Sequence, residues 1–319
     1  MAVEMSDQQR LTVVVPFFNE MDSLPLLHEE LHKAFSSVSC SCWIVYVDDG
    51  SSDTSWELVS RWALNGECEA IRFVRNFGKE AAIRAGLQEV PEGAAVVMDA
   101  DMQHPPEILP KMVSEWMQSD AWVVEARKAG SARRGLFNEL GARCVYYFMY
   151  LVTGIHFDGR SDFCLLDAKV VSLINQMPEK VTFFRGVVSW FGFPAKQVYF
   201  EVPERKYGSS KWSFVKLVNL AIDMITGFTT IPLSIVTCFS FLFLCFSGVL
   251  ILHTLYMFFS GQAVEGFTTV IICILLVGSV LAGGMGILGQ YLARIYEEVK
   301  KRPMFAVREV IRKSSNKAS

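Results

Sequence analysis

From the start of the chain to about residue 165, apolar and polar positions alternate between two rhythms. Leu11 to Pro16 is a continuous apolar run closed by proline, the pattern of a strand buried on both faces. Ser23 to Phe35 changes to helical spacing, with Leu24, Leu27, Leu31 and Phe35 on one side. Trp43 to Val47 predicts a second strand and Asp53 to Leu64 a second helix. Ile71 to Val74 and Ala94 to Met98 read as further strands around a helix from Lys79 to Gln88, and Trp122 to Glu125 as another strand. This βαβαβ order predicts an α/β fold with a mostly parallel sheet, which binds ligands at the carboxyl ends of its strands.

Beyond Asp223 the pattern changes. No residue carries a formal charge until Glu265, and Pro232 to Phe259 alone exceeds the roughly 20 helical residues that cross a bilayer. A second uncharged run extends from Gly266 to Ala293. The link between them, Ser260 to Glu265, contains neither Lys nor Arg. Lys211 and Lys216 precede the first run, and Arg294, Lys300, Lys301 and Arg302 follow the second. The positive-inside rule then predicts a transmembrane hairpin with both termini in the cytoplasm. Gly278, Ala282 and Gly286 recur every four residues, a spacing that allows close helix approach within the hairpin or between subunits of a homo-oligomer. Segment 205–231, with Trp212, Phe214, Val215, Leu217 and Val218 around Lys211 and Lys216, reads as an amphipathic helix on the membrane surface. The expected organisation is a catalytic domain over 1–204, this juxtamembrane segment over 205–231, spans at 232–259 and 266–293, and a basic cytoplasmic tail over 294–319.

Composition supports the same division. Of 319 residues 51% are hydrophobic and 20% charged, against about 25% charged in an ordinary soluble domain. With a mean hydropathy of +0.30 this excludes a disordered or nucleic-acid-wrapping chain. The net charge of −3 hides an asymmetry: from Arg294 onward the balance is +5, and the remainder carries −8. A basic tail beside apolar sequence predicts anionic lipids as partners, not nucleic acid. The eight cysteines show no metal or disulfide spacing, so a reduced, intracellular catalytic portion is expected. The first twelve residues are polar and predict no cleavable signal peptide.

Candidate chemistry gathers at predicted strand ends. These read Val15-Pro16-Phe17-Phe18-Asn19-Glu20, Val47-Asp48-Asp49-Gly50-Ser51-Ser52-Asp53 and Met98-Asp99-Ala100-Asp101-Met102-Gln103. Asp53 suits a helix N-cap. Asp99 and Asp101, two apart after an apolar strand, repel each other unless a cation compensates. Hard cations such as Mg²⁺ are held by one or two carboxylates together with substrate phosphates, which points to a nucleotide diphosphate. Asn76-Phe77-Gly78-Lys79 precedes a helix, and two readings stand: backbone N–H groups facing a phosphate, or a helix start that carries a lysine. His28-Glu29-Glu30-Leu31-His32 fits a zinc pattern with both imidazoles on one helical face. A third ligand is not evident from His104, His156 or His253, and no zinc site is assigned.

The set VVVPFFNE, VDDGSSD, RNFGKEAAIRAG and DADMQHPPE resembles family 2 glycosyltransferases, and with the SDF segment, ERKYGSSKW and the two-span tail it is similar to the polyprenyl-phosphate branch. Bactoprenol glucosyltransferases and aminoarabinosyl-phosphate transferases are the closer likeness, dolichol-phosphate mannose synthase the more distant. The resemblance implies a GT-A nucleotide-sugar-binding domain with a Rossmann-like mixed sheet on a membrane hairpin. It implies Mg²⁺ or Mn²⁺, a nucleotide-sugar donor and a polyprenyl phosphate acceptor at the cytoplasmic face of the bacterial inner membrane. Pro16, Phe18 and Glu20 would line the nucleotide pocket, and Val47 and Asp49 would contact base and ribose. Asp99 and Ala100 would lie by the ribose and diphosphate, Asp101 with Gln103 would hold the metal, and Arg127 would approach the diphosphate. Arg205 and Lys211 would bind phosphate, and Asp162 would be the catalytic residue on the acceptor side. Ser161 and Cys164 stand where the relatives usually carry Gly and, in the glucosyl branch, often Arg, so glucose, aminoarabinose, mannose and amino sugars all remain candidates. From other classes, a processive glycan synthase would need further spans and a QxxRW-type motif, and a non-catalytic scaffold would not need Asp101.

Overall fold

The computed structural model describes residues 10–90, 93–128, 160–177, 184–201, 231–260 and 266–312. The strands are β1 (Arg10–Phe17), β2 (Ser41–Asp48), β3 (Glu69–Phe73), β4 (Ala94–Val97), β5 (Val123–Lys128), β6 (Arg160–Asp167), β7 (Ala195–Phe200) and β8 (Val307–Ile311). They form one sheet in the order β7-β5-β6-β4-β1-β2-β3-β8. The centre, β4-β1-β2-β3, is parallel, as the βαβ rhythm requires. β6 runs antiparallel to β4 and β5, β7 parallel to β5, and β8 antiparallel to β3. The sheet is therefore mixed.

Helices α1 (Leu24–Phe35), α2 (Ser55–Leu64), α3 (Lys79–Gln88), α4 (Leu109–Gln118), α5 (Ala168–Gln176) and α6 (Phe184–Trp190) accompany these strands. Leu24, Leu27 and Leu31 are fully buried with Val13, Val15, Ile44 and Tyr46 in one core, and α3 buries Ala81, Ala82 and Ala85 against Val45, Val47 and Ile71 in another. Two apolar layers on a central strand explain why β1 reads as an unbroken hydrophobic run.

The strands and these helices belong to one compact unit; α7 (Ile231–Phe259) and α8 (Phe267–Val299) belong to a second. Both long helices contain segments long and apolar enough to cross a membrane, Ile231–Met257 and Leu276–Tyr296. Within this unit a Cβ on Gly284 would lie 3.3 Å from Val236 Cγ1, whereas Gly278 and Gly286 meet nothing within 4 Å. The close approach is made by a neighbour of the small-residue stripe, not by the stripe itself.

Two boundaries depart from the sequence expectation. α8 runs past Arg294 to Val299, because a helix carries on into its charged last turns without needing an apolar face there. Of the segment 294–319, expected as a basic tail, the part from Pro303 belongs to the first unit: Val307–Ile311 pairs with β3 and closes that edge of the sheet. Arg308 and Glu309 within five residues hide the strand in a polar stretch, and charge on an outermost strand is how sheets discourage further pairing. Arg312 then forms a forked ion pair with Glu89, at 2.6 Å and 3.0 Å.

Candidate active site

The ends of β1 and β2 are stitched together before any ligand is considered. Asn19 takes a left-handed conformation, φ 55°, from which its Oδ1 accepts the Ser52 N–H at 2.8 Å while its own N–H donates to Ser51 Oγ. Glu20 N–H donates to Ser55 Oγ, and Ser23 Oγ donates to Glu20 Oε2 at 2.6 Å. Asp53 accepts the Ser55 N–H at 3.0 Å from one residue ahead of the helix N-cap, which is Thr54 and not Asp53 as expected. Asp48, fully buried, accepts the Ser51 N–H at 2.7 Å and meets Arg72 at 3.2 Å. Asp49 reaches across to the loop before α3, where its carboxylate accepts the N–H groups of Phe77 at 2.7 Å and Gly78 at 2.9 Å. Burial pushes the Asp49 carboxyl up, and these two donors offset part of that rise. Two of the backbone donors of this loop, those of Phe77 and Gly78, are thus occupied by Asp49.

Gly50 makes this approach feasible. Its φ is +76°, and a Cβ there would lie 2.6 Å from the Arg75 carbonyl carbon. We expect Gly50→Ala to cost at least about 1–2 kcal/mol in conformational strain alone and to displace the loop that holds Asp49, read as a lower midpoint in denaturant unfolding.

Around these ends lies a cleft of ≈ 420 Å³ lined by Pro16, Phe18, Glu20, Asp49, Lys79, Asp99, Ala100 and Asp101, among others. The volume suits a small organic ligand. Its electrostatics are set by four carboxylates and one lysine. Lys79 Nζ sits 2.5 Å from Asp99 Oδ1 and 2.5 Å from Asp162 Oδ2. Burial alone would lower the ammonium, but Asp99 and Asp162 outweigh it and raise the pKa. Asp99 is therefore compensated from within the protein. Asp101 is exposed, its Oδ1 accepts the Gln103 N–H at 3.1 Å, and among the described residues it meets no cationic side chain. Burial and then the charges of Asp101, Asp99 and Asp53 push the Glu20 carboxyl up, against a lowering contact from Ser23. A cleft of hard oxygen donors with surplus negative charge fits a divalent cation at Asp101.

His104 steadies the aspartate loop from beneath. It is buried, stacks on Phe163 at 4.9 Å, and its Nδ1 accepts the Asp99 N–H at 2.9 Å. Burial holds its pKa below the ordinary value, keeping Nδ1 free to accept.

Residues 12–163 match the family described as Glycosyl transferase family 2. An uncharacterized glycosyltransferase of Synechocystis is 33% identical over 306 residues, covering 94% of this chain and 95% of its own. The chain belongs to glycosyl transferase family 2. Other relatives of this glycosyltransferase include a prophage bactoprenol glucosyl transferase homolog of Escherichia coli K12, 31% identical over 94% of this chain and 99% of that one. The bactoprenol glucosyl transferase of Shigella phage SfX is 30% identical over the same shares. Among solved structures, glucosyl-3-phosphoglycerate synthase from Mycobacterium tuberculosis, in complex with Mn²⁺, UDP and glucosyl-3-phosphoglycerate, is 16% identical, covering 68% of this chain and 78% of that one with a TM-score of 0.47.

In this family 2 glycosyltransferase most of the residues singled out from sequence do meet in one cleft: Pro16, Phe18, Glu20, Asp49, Asp99, Ala100 and Asp101. Val47 does not. It has no exposed surface and packs with Ile71 and Ala82, because strand alternation turns it toward α3. Arg127 lies on β5, paired with Glu125 at 3.1 Å, and is not among the cleft's lining residues. Gln103 meets Asp101 through its backbone N–H. Arg205 and Lys211 lie outside the described residues. Asp162 is 5% exposed and clasped by Lys79 and by Arg185 Nε at 2.6 Å. Burial would raise its carboxyl, yet the two cations hold it down to about 2. Both of its oxygens face cationic side chains, and a carboxylate held that low is a poor proton acceptor near neutral pH.

Sequence reading missed Arg185 and Glu80. Glu80 follows Lys79 on α3 and accepts the Phe184 N–H at 2.8 Å, which ties α3 to the start of α6. Burial, then the charge of Asp162, push the Glu80 carboxyl up to about 7, against opposing contacts from the Phe184 N–H, Lys79 and Arg185. Its folded pKa lies above its ordinary 4.5, so the native state binds this proton more tightly and loses stability as pH rises from about 4.5 to 7. We expect Glu80→Gln to flatten the thermal-unfolding midpoint across that window; an unchanged slope would contradict the shift.

Proposed function

We propose that this glycosyltransferase moves one sugar, glucose from UDP-glucose as the leading candidate, onto a polyprenyl phosphate of the undecaprenyl class at the cytoplasmic face of the bacterial plasma membrane. The observation that carries the reading is the acidic cleft in which Asp99 is neutralised by Lys79 while Asp101 is left for a cation. The bactoprenol named for the relatives, matched over 94% of this chain, supports the acceptor. Helices α7 and α8 support a hairpin anchor, since an acceptor confined to the bilayer must be met at its surface.

Pro16 and Phe18 present apolar surface for the nucleotide base, with Glu20 and Asp49 nearby for the ribose. Asp101, with Gln103 beside it, would hold Mg²⁺ or Mn²⁺, which supplies Lewis-acid neutralisation of the leaving diphosphate. A phosphate monoester acceptor has a second pKa of about 6, so it arrives ionised and needs no strong base. Attack in line on the anomeric carbon then inverts it. In this mechanism Asp162 positions Lys79 and Arg185 instead of taking a proton. Arg205 and Lys211 would add phosphate contacts from the juxtamembrane segment, Arg through its planar fork and Lys as a compact charge. Arg127 would join the diphosphate only by leaving Glu125.

Membranes from cells expressing the full chain, incubated with sugar-labelled UDP-glucose, UDP-N-acetylglucosamine, UDP-aminoarabinose or GDP-mannose and undecaprenyl phosphate, test this directly. The expected result is label in the organic extract with one donor above the rest. Label in a polymer would favour a processive synthase, and no transfer from any donor a scaffold.

A further inference from the structure

Apart from the cleft, one cluster of ligating side chains stands out among the described residues. His28 and His32 share a face of α1, and Glu67, just before β3, comes up beside them. One ligand atom from each lies within 4.8 Å of the others. We propose that His28, His32 and Glu67 form a second metal site on the catalytic unit, selective for a borderline transition cation with Zn²⁺ the leading candidate.

Three features make this a built site and not a chance gathering. First, the orientation of His28 is fixed. Its ring stacks on Trp62 at 4.1 Å with 6° between planes, and its Nδ1 lies 3.2 Å from the hydroxyl of the fully buried Tyr46. A ligating histidine is typically held in this way, its second nitrogen engaged by an outer partner. Second, His28 Nε2 already lies 3.1 Å from Glu67 Oε2. Zinc with ligands at about 2.0–2.2 Å in tetrahedral geometry separates its donors by about 3.3–3.6 Å, so this pair needs to open by only a few tenths of an ångström. Third, His32, exposed and with its ring 4.6 Å from that of His28, has room to swing its nitrogen inward.

Two imidazoles and one carboxylate suit zinc and disfavour Mg²⁺, which takes oxygen donors and near-ideal octahedral geometry. On binding, the neutral His28 ring changes tautomer with no net proton loss: the Nε2 proton exchanges through solvent to Nδ1, which then donates to the Tyr46 oxygen. The remaining position is left for water. The glutamate of the zinc pattern, Glu29, is paired with Lys33 at 2.7 Å, so hydrolytic chemistry is not part of the proposal. The cation would pin α1 to the segment entering β3, distant in sequence by 39 residues from His28 to Glu67.

The test is equilibrium dialysis of the full chain in detergent against Zn²⁺, with His32→Ala, Glu67→Gln and Asp101→Ala alongside. Asp101→Ala is expected to leave zinc affinity at this site unchanged. His32→Ala and Glu67→Gln, both at exposed side chains, should each weaken it at least about tenfold, and zinc should raise the unfolding temperature of the native chain but not of these two. Co²⁺ loaded in place of zinc should give four-coordinate ligand-field bands without thiolate charge transfer. Failure of the native chain to bind zinc, or unchanged affinity in either variant, overturns the proposal.

Discussion

Asp101→Ala is expected to lower sugar transfer by about a thousandfold while leaving the unfolding midpoint near that of the native chain. Asp101 is exposed, contributes no core packing and pairs with no cation among the described residues, so its loss touches the cleft and little else. Its place in catalysis follows from charge. Lys79 already satisfies Asp99, and Glu20 holds its proton above the ordinary range partly because Asp101 and Asp99 face it. A divalent cation at Asp101 would convert that repulsion into binding of the diphosphate. Lewis-acid neutralisation is worth several kcal/mol in the transition state, and each 1.36 kcal/mol is about tenfold in rate. A chelator should reproduce the loss in the native enzyme, with recovery on adding Mg²⁺ or Mn²⁺. Steady-state transfer in excess chelator at the native rate would remove the metal from the mechanism.

Asp162→Ala should have the second largest effect, of a different kind. The substitution leaves the Lys79 ammonium and the Arg185 guanidinium close together without the carboxylate that both grip. Breaking a buried pair by removing one partner costs about 3–5 kcal/mol, and the partial exposure of both cations places the expected loss near the lower end. Activity should fall with it, because Lys79 then serves Asp99 alone and no longer holds one position in the cleft. The pH dependence separates an anchor from a base. The folded pKa of Asp162, about 2, is below its ordinary 3.8. Its contribution to stability is therefore complete above about pH 4 and lost as pH falls toward 2. Denaturant unfolding from pH 2 to 7 should show that acid loss in the native chain and not in Asp162→Ala. An acid limb of kcat near neutral pH that vanished in Asp162→Asn, with stability unchanged, would restore the role of base.

How much of this was legible in the chain depends on distance along it. The strand-end carboxylates could be read directly, because charge placed at the end of an apolar run has few other purposes, and the family resemblance carried by those motifs is borne out. The wiring among them could not. Lys79 reaches Asp162 over 83 residues and Arg185 reaches it over 23, and no periodicity encodes such pairings. Asp49 looked like a nucleotide contact, yet its carboxylate is also the partner of the loop N–H groups at Phe77 and Gly78. Val47 sat in the right motif on the wrong face, since a strand turns successive side chains to opposite sides. The strand Val307–Ile311 was hidden by its own charges, and Glu67 by a search for a third histidine where a carboxylate serves.

The central claim is that one sugar is joined to a lipid phosphate. Purified full-length enzyme in detergent, given undecaprenyl phosphate, Mg²⁺ and the preferred nucleotide sugar, should yield a lipid product whose mass spectrum shows a single added sugar, and Asp101→Ala should form it about a thousandfold more slowly. A ladder of added sugars, a water-soluble glycoside, or equal product from Asp101→Ala would contradict the account.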